Sequence, residues 1–117
     1  MTTSAPELVR VLGALADDTR WQILDRLGTS AASASALAQE LPVTRQAIAR
    51  HLTQLQDVGL VTPVRAGREI RWTATADRLV EVGDQLRAVA DGWTRRLQTV
   101  KRLAEAADSD PDPDRSG

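Results

Sequence analysis

The spacing of the apolar residues changes twice along this chain, and these changes constrain its fold more than any other feature. Before Gly59 the apolar residues recur every three or four positions, which is typical of amphipathic helices. After Gly59 they alternate with polar residues, which is typical of short strands. From Asp77 the helical spacing returns and continues to about Ala106. The pattern therefore predicts a mainly α fold with a small β-hairpin, in the order α-α-α-α-β-β-α.

Capping residues predict where the first two helices begin and end. Ser4 and Glu7 have the spacing of a capping box at the start of a helix that runs to about Ala16. Asp17 is placed to cap a second helix, and Gly28 is placed to end it. The small and polar residues 29–34 that follow are predicted to form a loop.

The next two helices are short and close together. Ser35 is predicted to cap the third, which Pro42 stops, and Thr44 is predicted to cap the fourth, which ends at Gly59. Two short helices separated by three or four residues form a helix-turn-helix. The fourth helix turns its apolar residues inward, and these are Ile48, Leu52 and Leu55.

A hairpin is predicted to follow, with strands over residues 60–64 and 69–74. Ala66 and Gly67 supply its turn, and Arg65, Arg68 and Arg71 make it basic. Pro63 fits only an edge strand, as expected of a two-stranded wing without further neighbours.

The last helix carries an apolar stripe longer than the core of a small domain. The stripe spans roughly 36 Å at the usual helical rise, and its residues are Leu79, Val82, Leu86, Val89, Trp93, Leu97, Val100 and Leu103. Its far half therefore needs a partner, and we expect a homodimer.

Composition excludes several classes of site. The chain has no cysteine and a single histidine, His51, so a thiolate zinc site or a multi-histidine metal site cannot be built within one chain. The motifs supply no combination of nucleophile, base and orienting residue, so we expect neither an enzyme nor a cofactor. No segment has the length of apolar sequence that a membrane span needs, and a cytoplasmic protein is expected.

The net charge of −1 is unevenly distributed. Residues 105–117 hold five acidic residues and one basic residue, which predicts an acidic disordered tail after a single domain over residues 1–104. Residues 43–75 hold five arginines against two acidic residues, a net charge of +3. This segment is the candidate electrostatic footprint for nucleic acid.

The outward side chains of the fourth helix suit the major groove of DNA. Arginine bonds guanine, glutamine bonds adenine, and a small residue allows close approach to a thymine methyl, which assigns the base edges to Arg45, Gln46 and Ala49. The backbone contacts are assigned to Thr44, Arg50 and Thr53. An ordinary solvated helix face is the alternative, and the basic hairpin beside a short preceding helix argues against it.

Three segments resemble the ArsR family of winged helix-turn-helix repressors, over about residues 8–104. They are residues 17–24 (DDTRWQIL), residues 43–52 (VTRQAIARHL) and residues 67–72 (GREIRW). Ala49 stands where the family often has serine, and Trp72 where it often has tyrosine. Many members sense metals through cysteines or histidine–carboxylate pairs that this chain lacks, and residues 92–97 resemble a metal-free branch.

The resemblance implies a sequence-specific DNA-binding transcriptional repressor that acts as a homodimer on a near-palindromic operator. The first and last helices would form the interface, with Leu8, Val11, Trp93, Leu97 and Val100 buried by the partner. Two alternatives stay open. One is a winged-helix module that binds an acidic protein, and the other is a regulator that responds to a small-molecule effector at an interface pocket.

Overall fold

A computed structural model describes residues 5–109. Its elements are α1 (Ala5–Leu15), α2 (Asp18–Thr29), β1 (Ala32–Ser33), α3 (Ala34–Glu40), α4 (Arg45–Asp57), β2 (Val61–Ala66), β3 (Glu69–Ala74) and α5 (Ala76–Ser109). The mainly helical fold with a small antiparallel sheet is as predicted, with one extra strand. The predicted cap Ser4 and residues 110–117 of the predicted tail lie outside the described residues.

Two of the predicted helix caps are confirmed and one is wrong. The Asp17 carboxylate accepts a hydrogen bond from the backbone N–H of Arg20 at 2.9 Å, and the Thr44 hydroxyl accepts one from the backbone N–H of Ala47 at 3.2 Å. The third helix is capped by Ser33, whose hydroxyl accepts from Ala36 at 3.1 Å, and not by Ser35. Ser33 is the residue with extended backbone immediately before the helix, which is the conformation that a cap requires.

The end of α4 is closed by a glycine in the left-handed conformation. Gly59 has φ +79°, its backbone N–H donates to the Gln56 carbonyl, and that of Leu60 donates to the Leu55 carbonyl, both at 2.9 Å. This pair of bonds is a Schellman motif, which satisfies carbonyl groups left over at a helix end. Gly28, by contrast, does not end α2, which continues to Thr29.

The sheet has three strands, so the prediction of a loop over residues 29–34 and of a wing without neighbours is wrong. Strand β3 lies in the centre, with β1 on one side and β2 on the other. Ala32 pairs with Trp72, and Ser33 pairs with Arg71. A strand of two residues is too short to show a period of two in sequence. Pro63 lies on the edge strand β2, as predicted. Proline has no backbone N–H to donate, and an edge strand tolerates it because one of its sides has no neighbouring strand.

The hairpin turn consists of Gly67 and Arg68, and not of Ala66 and Gly67 as predicted, because Ala66 pairs with Glu69. Gly67 has φ +67°, and no other residue of the turn has a positive φ. A positive φ at the first central position only is the pattern of a type II′ turn, whose twist matches that of the flanking strands. The turn thus holds Arg68 at the tip of the wing.

One apolar cluster unites α1 to α4, the sheet and the start of α5. Its fully buried members are Ile23, Leu37, Ile48, Leu52, Leu55 and Leu60, each 0% exposed. Trp21 of α2 lies outside this core and is 49% exposed. Within the described residues, no helix is both long enough and apolar enough to cross a membrane.

The chain divides into two compact units, one ending at Gly83 and the other beginning at Asp84. The first unit contains the helix-turn-helix and the wing. The second consists of α5 from Asp84 onward. Residues 105–109 are helical and continue α5 to Ser109, so the predicted start of a disordered tail at residue 105 is wrong.

Candidate nucleic-acid interface

Helix α4 has one face wholly buried and the opposite face exposed. Ile48, Leu52 and Leu55 fix its rotation, because each is fully buried in the core. The six side chains that sequence analysis assigned to DNA all lie on the exposed side, and these are Thr44, Arg45, Gln46, Ala49, Arg50 and Thr53. The structure therefore brings the predicted set together on one surface.

Sequence analysis missed the side chain that anchors α4 to its neighbours. The Arg20 guanidinium donates to the Ala14 carbonyl at 2.6 Å and to the Gln54 side chain at 2.7 Å, and it contacts the Gly13 carbonyl at 3.3 Å. A cation at the carbonyl end of α1 is favoured by the helix dipole. Arg20 therefore joins α1, α2 and α4 through partners 6 and 34 positions away in the sequence, which no local pattern indicates.

An ion pair links α2 to the helix-turn-helix. The Arg26 guanidinium donates to the Glu40 carboxylate at 2.6 Å and 3.2 Å, which is a two-point contact. Arg26 also reaches the backbone carbonyl and hydroxyl of Ser30. This contact holds the last turn of α3 against α2, and α3 in turn sets the position of α4.

The two threonine hydroxyls on the exposed face have different hydrogen-bonding capacity. Thr44 uses its hydroxyl as an acceptor for the helix cap, so its proton stays available for a phosphate oxygen. Thr53 donates its hydroxyl proton to the Ala49 carbonyl at 3.1 Å. A phosphate contact by Thr53 would require that bond to break, whereas one by Thr44 would not.

The wing and the start of α4 face a common cleft. A depression of about 560 Å³ is lined by Arg45 from α4, by Arg68 from the wing turn and by Ser33, Ala34, Ser35, Glu69, Ile70 and Trp72. Arg45 and Arg68 are far apart in sequence, and their convergence supports one continuous basic surface.

The three wing arginines differ in their partners. Arg71 pairs with the Glu69 carboxylate at 3.2 Å, whereas Arg65 and Arg68 form no ion pair within residues 5–109. Hydrogen bonds from Arg71 and Ser33 lower the pKa of the Glu69 carboxyl group. A formal negative charge therefore stands on the otherwise basic surface, a feature that sequence analysis did not interpret.

The predicted interface residues fall into two groups. Trp93, Leu97 and Val100 of α5 are 60–69% exposed and available to a partner. Val11 is 1% exposed because it packs in the core of its own protomer, so its assignment to the interface is wrong. Leu8 is partly buried against the same core. The strongly exposed apolar residue of α1 is instead Val9, at 67%.

Metal ligands are not grouped anywhere in the described part of the chain. No three histidine, cysteine, aspartate or glutamate side chains of residues 5–109 lie close enough together to hold an ion.

Comparisons with known proteins agree with this geometry. Residues 15–64 match the model of a family described as "Helix-turn-helix domain". The chain is 32% identical to the HTH-type transcriptional regulator Rv2034 of Mycobacterium tuberculosis, over 86% of this chain and 92% of that protein.

Solved structures extend the similarity to most of the chain. An ArsR-like transcriptional regulator from Rhodococcus sp. RHA1 superposes with a TM-score of 0.81 at 48% identity, covering 85% of this chain and 93% of that one. The homodimeric winged helix-turn-helix DNA-binding domain of Mb0332 from Mycobacterium bovis superposes with a TM-score of 0.61 at 28% identity, covering 74% and 80%. With its exposed recognition surface and basic wing, the chain belongs to the ArsR family of winged helix-turn-helix, DNA-binding transcriptional regulators.

Proposed function

We propose that this regulator is a sequence-specific repressor that binds a near-palindromic operator as a homodimer. The observation that carries the proposal is the exposed face of α4, whose opposite face is fully buried, next to a wing that shares a cleft with Arg45. A helix anchored in this way presents a rigid set of side chains to a major groove.

The base edges are assigned to the start of α4. Arg45, Gln46 and Ala49 lie in its first two turns, the part of a recognition helix that approaches the bases most closely. Thr44 and Arg50 are assigned to the DNA backbone, together with Thr53 once its internal hydrogen bond is released. Arg68 and Arg65 supply the wing's attraction for phosphate or for a narrow minor groove.

The second copy of the chain is assigned to the apolar stripe of α5. Trp93, Leu97 and Val100 recur every three or four residues and are all exposed, and a stripe of this kind is typical of an interface between helices. The relative from Mycobacterium bovis was solved as a homodimer, which supports the same assembly here. Two-fold symmetry then implies an operator with two related half-sites.

Repression would result from occupancy of the operator by the dimer. A dimer that covers two major-groove half-sites on a promoter excludes the polymerase from the same DNA. The proposal does not require a metal, a cofactor or an effector. A small-molecule effector would add control of release without changing the DNA contacts.

The proposal is tested by selecting duplexes from a random library with the purified full-length chain. We expect one enriched motif with two inverted half-sites about one helical turn apart. Binding to the selected duplex should be at least about 10³-fold tighter than to a scrambled duplex at the same salt concentration.

A charge-matched variant separates the DNA face from the rest of the surface. Arg10→Ala removes one positive charge beside the end of α4, near Asp57, about 18 Å along the helix from Arg45. It should bind the selected duplex like the wild type, whereas Arg45→Ala should not. Recovery of no motif, with equal and weak binding to all duplexes, would contradict the proposal and favour the protein-binding alternative.

A further inference from the structure

The charge on the wing is not all available to DNA. The Arg71 Nε donates to Glu69 Oε2 at 3.2 Å, and both side chains are about half exposed. The two residues are separated by one position on β3 and therefore lie on the same face of the strand. Arg71 is thus held by a neighbour, while Arg68, at the tip of the wing, is not.

Glu69 also reaches beyond the wing. It lines the same cleft as Ser33, the residue that pairs with Arg71 across the sheet and caps α3. Arg45 and Arg68 line this cleft as well. One acidic residue of the wing therefore shares a cleft with two arginines, one from the wing and one from the helix-turn-helix.

This placement has two electrostatic consequences. Pairing with Glu69 offsets the attraction of Arg71 for phosphate, and the carboxylate itself repels phosphate brought into the cleft at an unsuitable position. Both effects act against DNA of any sequence. Repulsive groups on a binding surface are a known route to specificity, because they penalise contacts that the correct partner does not need.

We propose that Glu69 is a positioning residue that restrains sequence-independent DNA binding by holding Arg71 away from phosphate. The inference rests on the proposed DNA-binding function and adds a group that limits it. Arg71, which sequence analysis counted among the three basic residues of the wing, then restrains DNA binding and does not contact DNA. The two remaining arginines of the wing, Arg65 and Arg68, supply its attraction for DNA.

The test is a double-mutant cycle of the full chain with Glu69→Gln, Arg71→Gln and both together, measured on a scrambled duplex across a salt series. Glu69→Gln should tighten binding by about threefold or more and steepen the log–log salt dependence by about two units, because each protomer of a dimer gains one phosphate contact. Arg71→Gln alone should leave the slope unchanged. In the double variant the added slope should disappear.

Two further measurements separate this role from a merely structural one. Glu69→Asp keeps the charge and should retain a salt slope close to that of the wild type. Thermal unfolding of each variant identifies any loss of folded protein, which would weaken binding to all duplexes without steepening the slope.

The inference is overturned if Arg71→Gln alone flattens the slope by about two units, since Arg71 would then already contact phosphate. It is also overturned if folded Glu69→Gln protein shows the wild-type slope. Different results would contradict the proposed function and the proposed role of Glu69. A wild type that binds scrambled and selected duplexes equally contradicts the sequence-specific function, while the slopes on the scrambled duplex still decide the role of Glu69.

Discussion

Single polar side chains decide how the recognition helix is presented. The caps Asp17 and Thr44 could be predicted, because a short oxygen-bearing side chain before an apolar helix has a local signature. The anchoring role of Arg20 and the restraint by Glu69 could not. Each depends on residues that the fold brings close, such as Gln54 for Arg20 and Arg45 for Glu69. Contacts of this kind produce no pattern in the local sequence.

Asp17 supplies a pH-dependent contribution to stability. The backbone N–H of Arg20 is the main cause of its lowered pKa, with the nearby charges of Arg20 and His51 adding to it. A carboxyl group with a depressed folded-state pKa stabilises the protein above its ordinary pKa of 3.8, and this contribution is lost as the pH falls through the lowered value.

Asp17→Asn keeps a side chain that can cap α2 but removes the titrating group. We therefore expect the wild type to be more stable than Asp17→Asn at about pH 6 and the difference to shrink at about pH 3. Urea unfolding of both proteins at the two pH values measures this. A stability difference that does not change with pH would show that ionisation of Asp17 plays no part.

At the scale of elements, long periodic patterns were sufficient to predict helices and strands, whereas short segments were not. The four helices, the hairpin and the long α5 could be predicted because each repeats its pattern over several residues. Strand β1 could not, because Ala32 and Ser33 are only two residues and their pairing with β3 is a long-range contact. The same strand moves the start of α3 from the predicted Ser35 cap to Ser33.

The prediction that Gly59 ends α4 can be tested by substitution. Gly59→Ala should destabilise the protein by about 1–2 kcal/mol, because its φ of +79° is unfavourable for any residue with a Cβ. The added methyl group would also lie 3.3 Å from the Arg78 guanidinium, which donates to the Val58 carbonyl at 2.9 Å.

Gly28→Ala is the matched control, measured with Gly59→Ala by chemical denaturation. Gly28 lies within α2, and a methyl group there would meet no heavy atom within 4 Å. Alanine should stabilise this helix by roughly 0.5–1 kcal/mol. Equal effects of the two substitutions would mean that Gly59 is not required for the helix end.

At the scale of the whole molecule, the length of the apolar stripe on α5 could be predicted, but the division of α1 between core and surface could not. Sequence spacing placed Leu8 and Val11 on one helical face, and only packing shows that Val11 is buried within the protomer. Among the predicted interface residues, those of α5 are the ones that the structure leaves exposed.

Trp93→Glu should convert dimers to monomers and abolish tight operator binding, because a charge in the stripe cannot be buried against a second copy without a partner. Gln98→Glu makes a similar addition of charge about 140° around the helix and should remain dimeric. Analytical ultracentrifugation gives the mass of each variant, and circular dichroism checks that both are folded. A folded, dimeric Trp93→Glu protein would place the interface elsewhere.

The central claim is that α4 reads sequence while the wing supplies attraction to the DNA backbone. The most direct measurement compares Gln46→Ala and Arg68→Ala on selected and scrambled duplexes across a salt series, with Arg10→Ala as the charge-matched control. Gln46→Ala should weaken binding to the selected duplex by about 1–3 kcal/mol for each lost base contact and leave the scrambled duplex nearly unaffected. Arg68→Ala should weaken both and flatten the log–log salt dependence by about two units. Equal losses on both duplexes for Gln46→Ala, with an effect of Arg68→Ala confined to the selected duplex, would contradict the account and assign sequence reading to the wing.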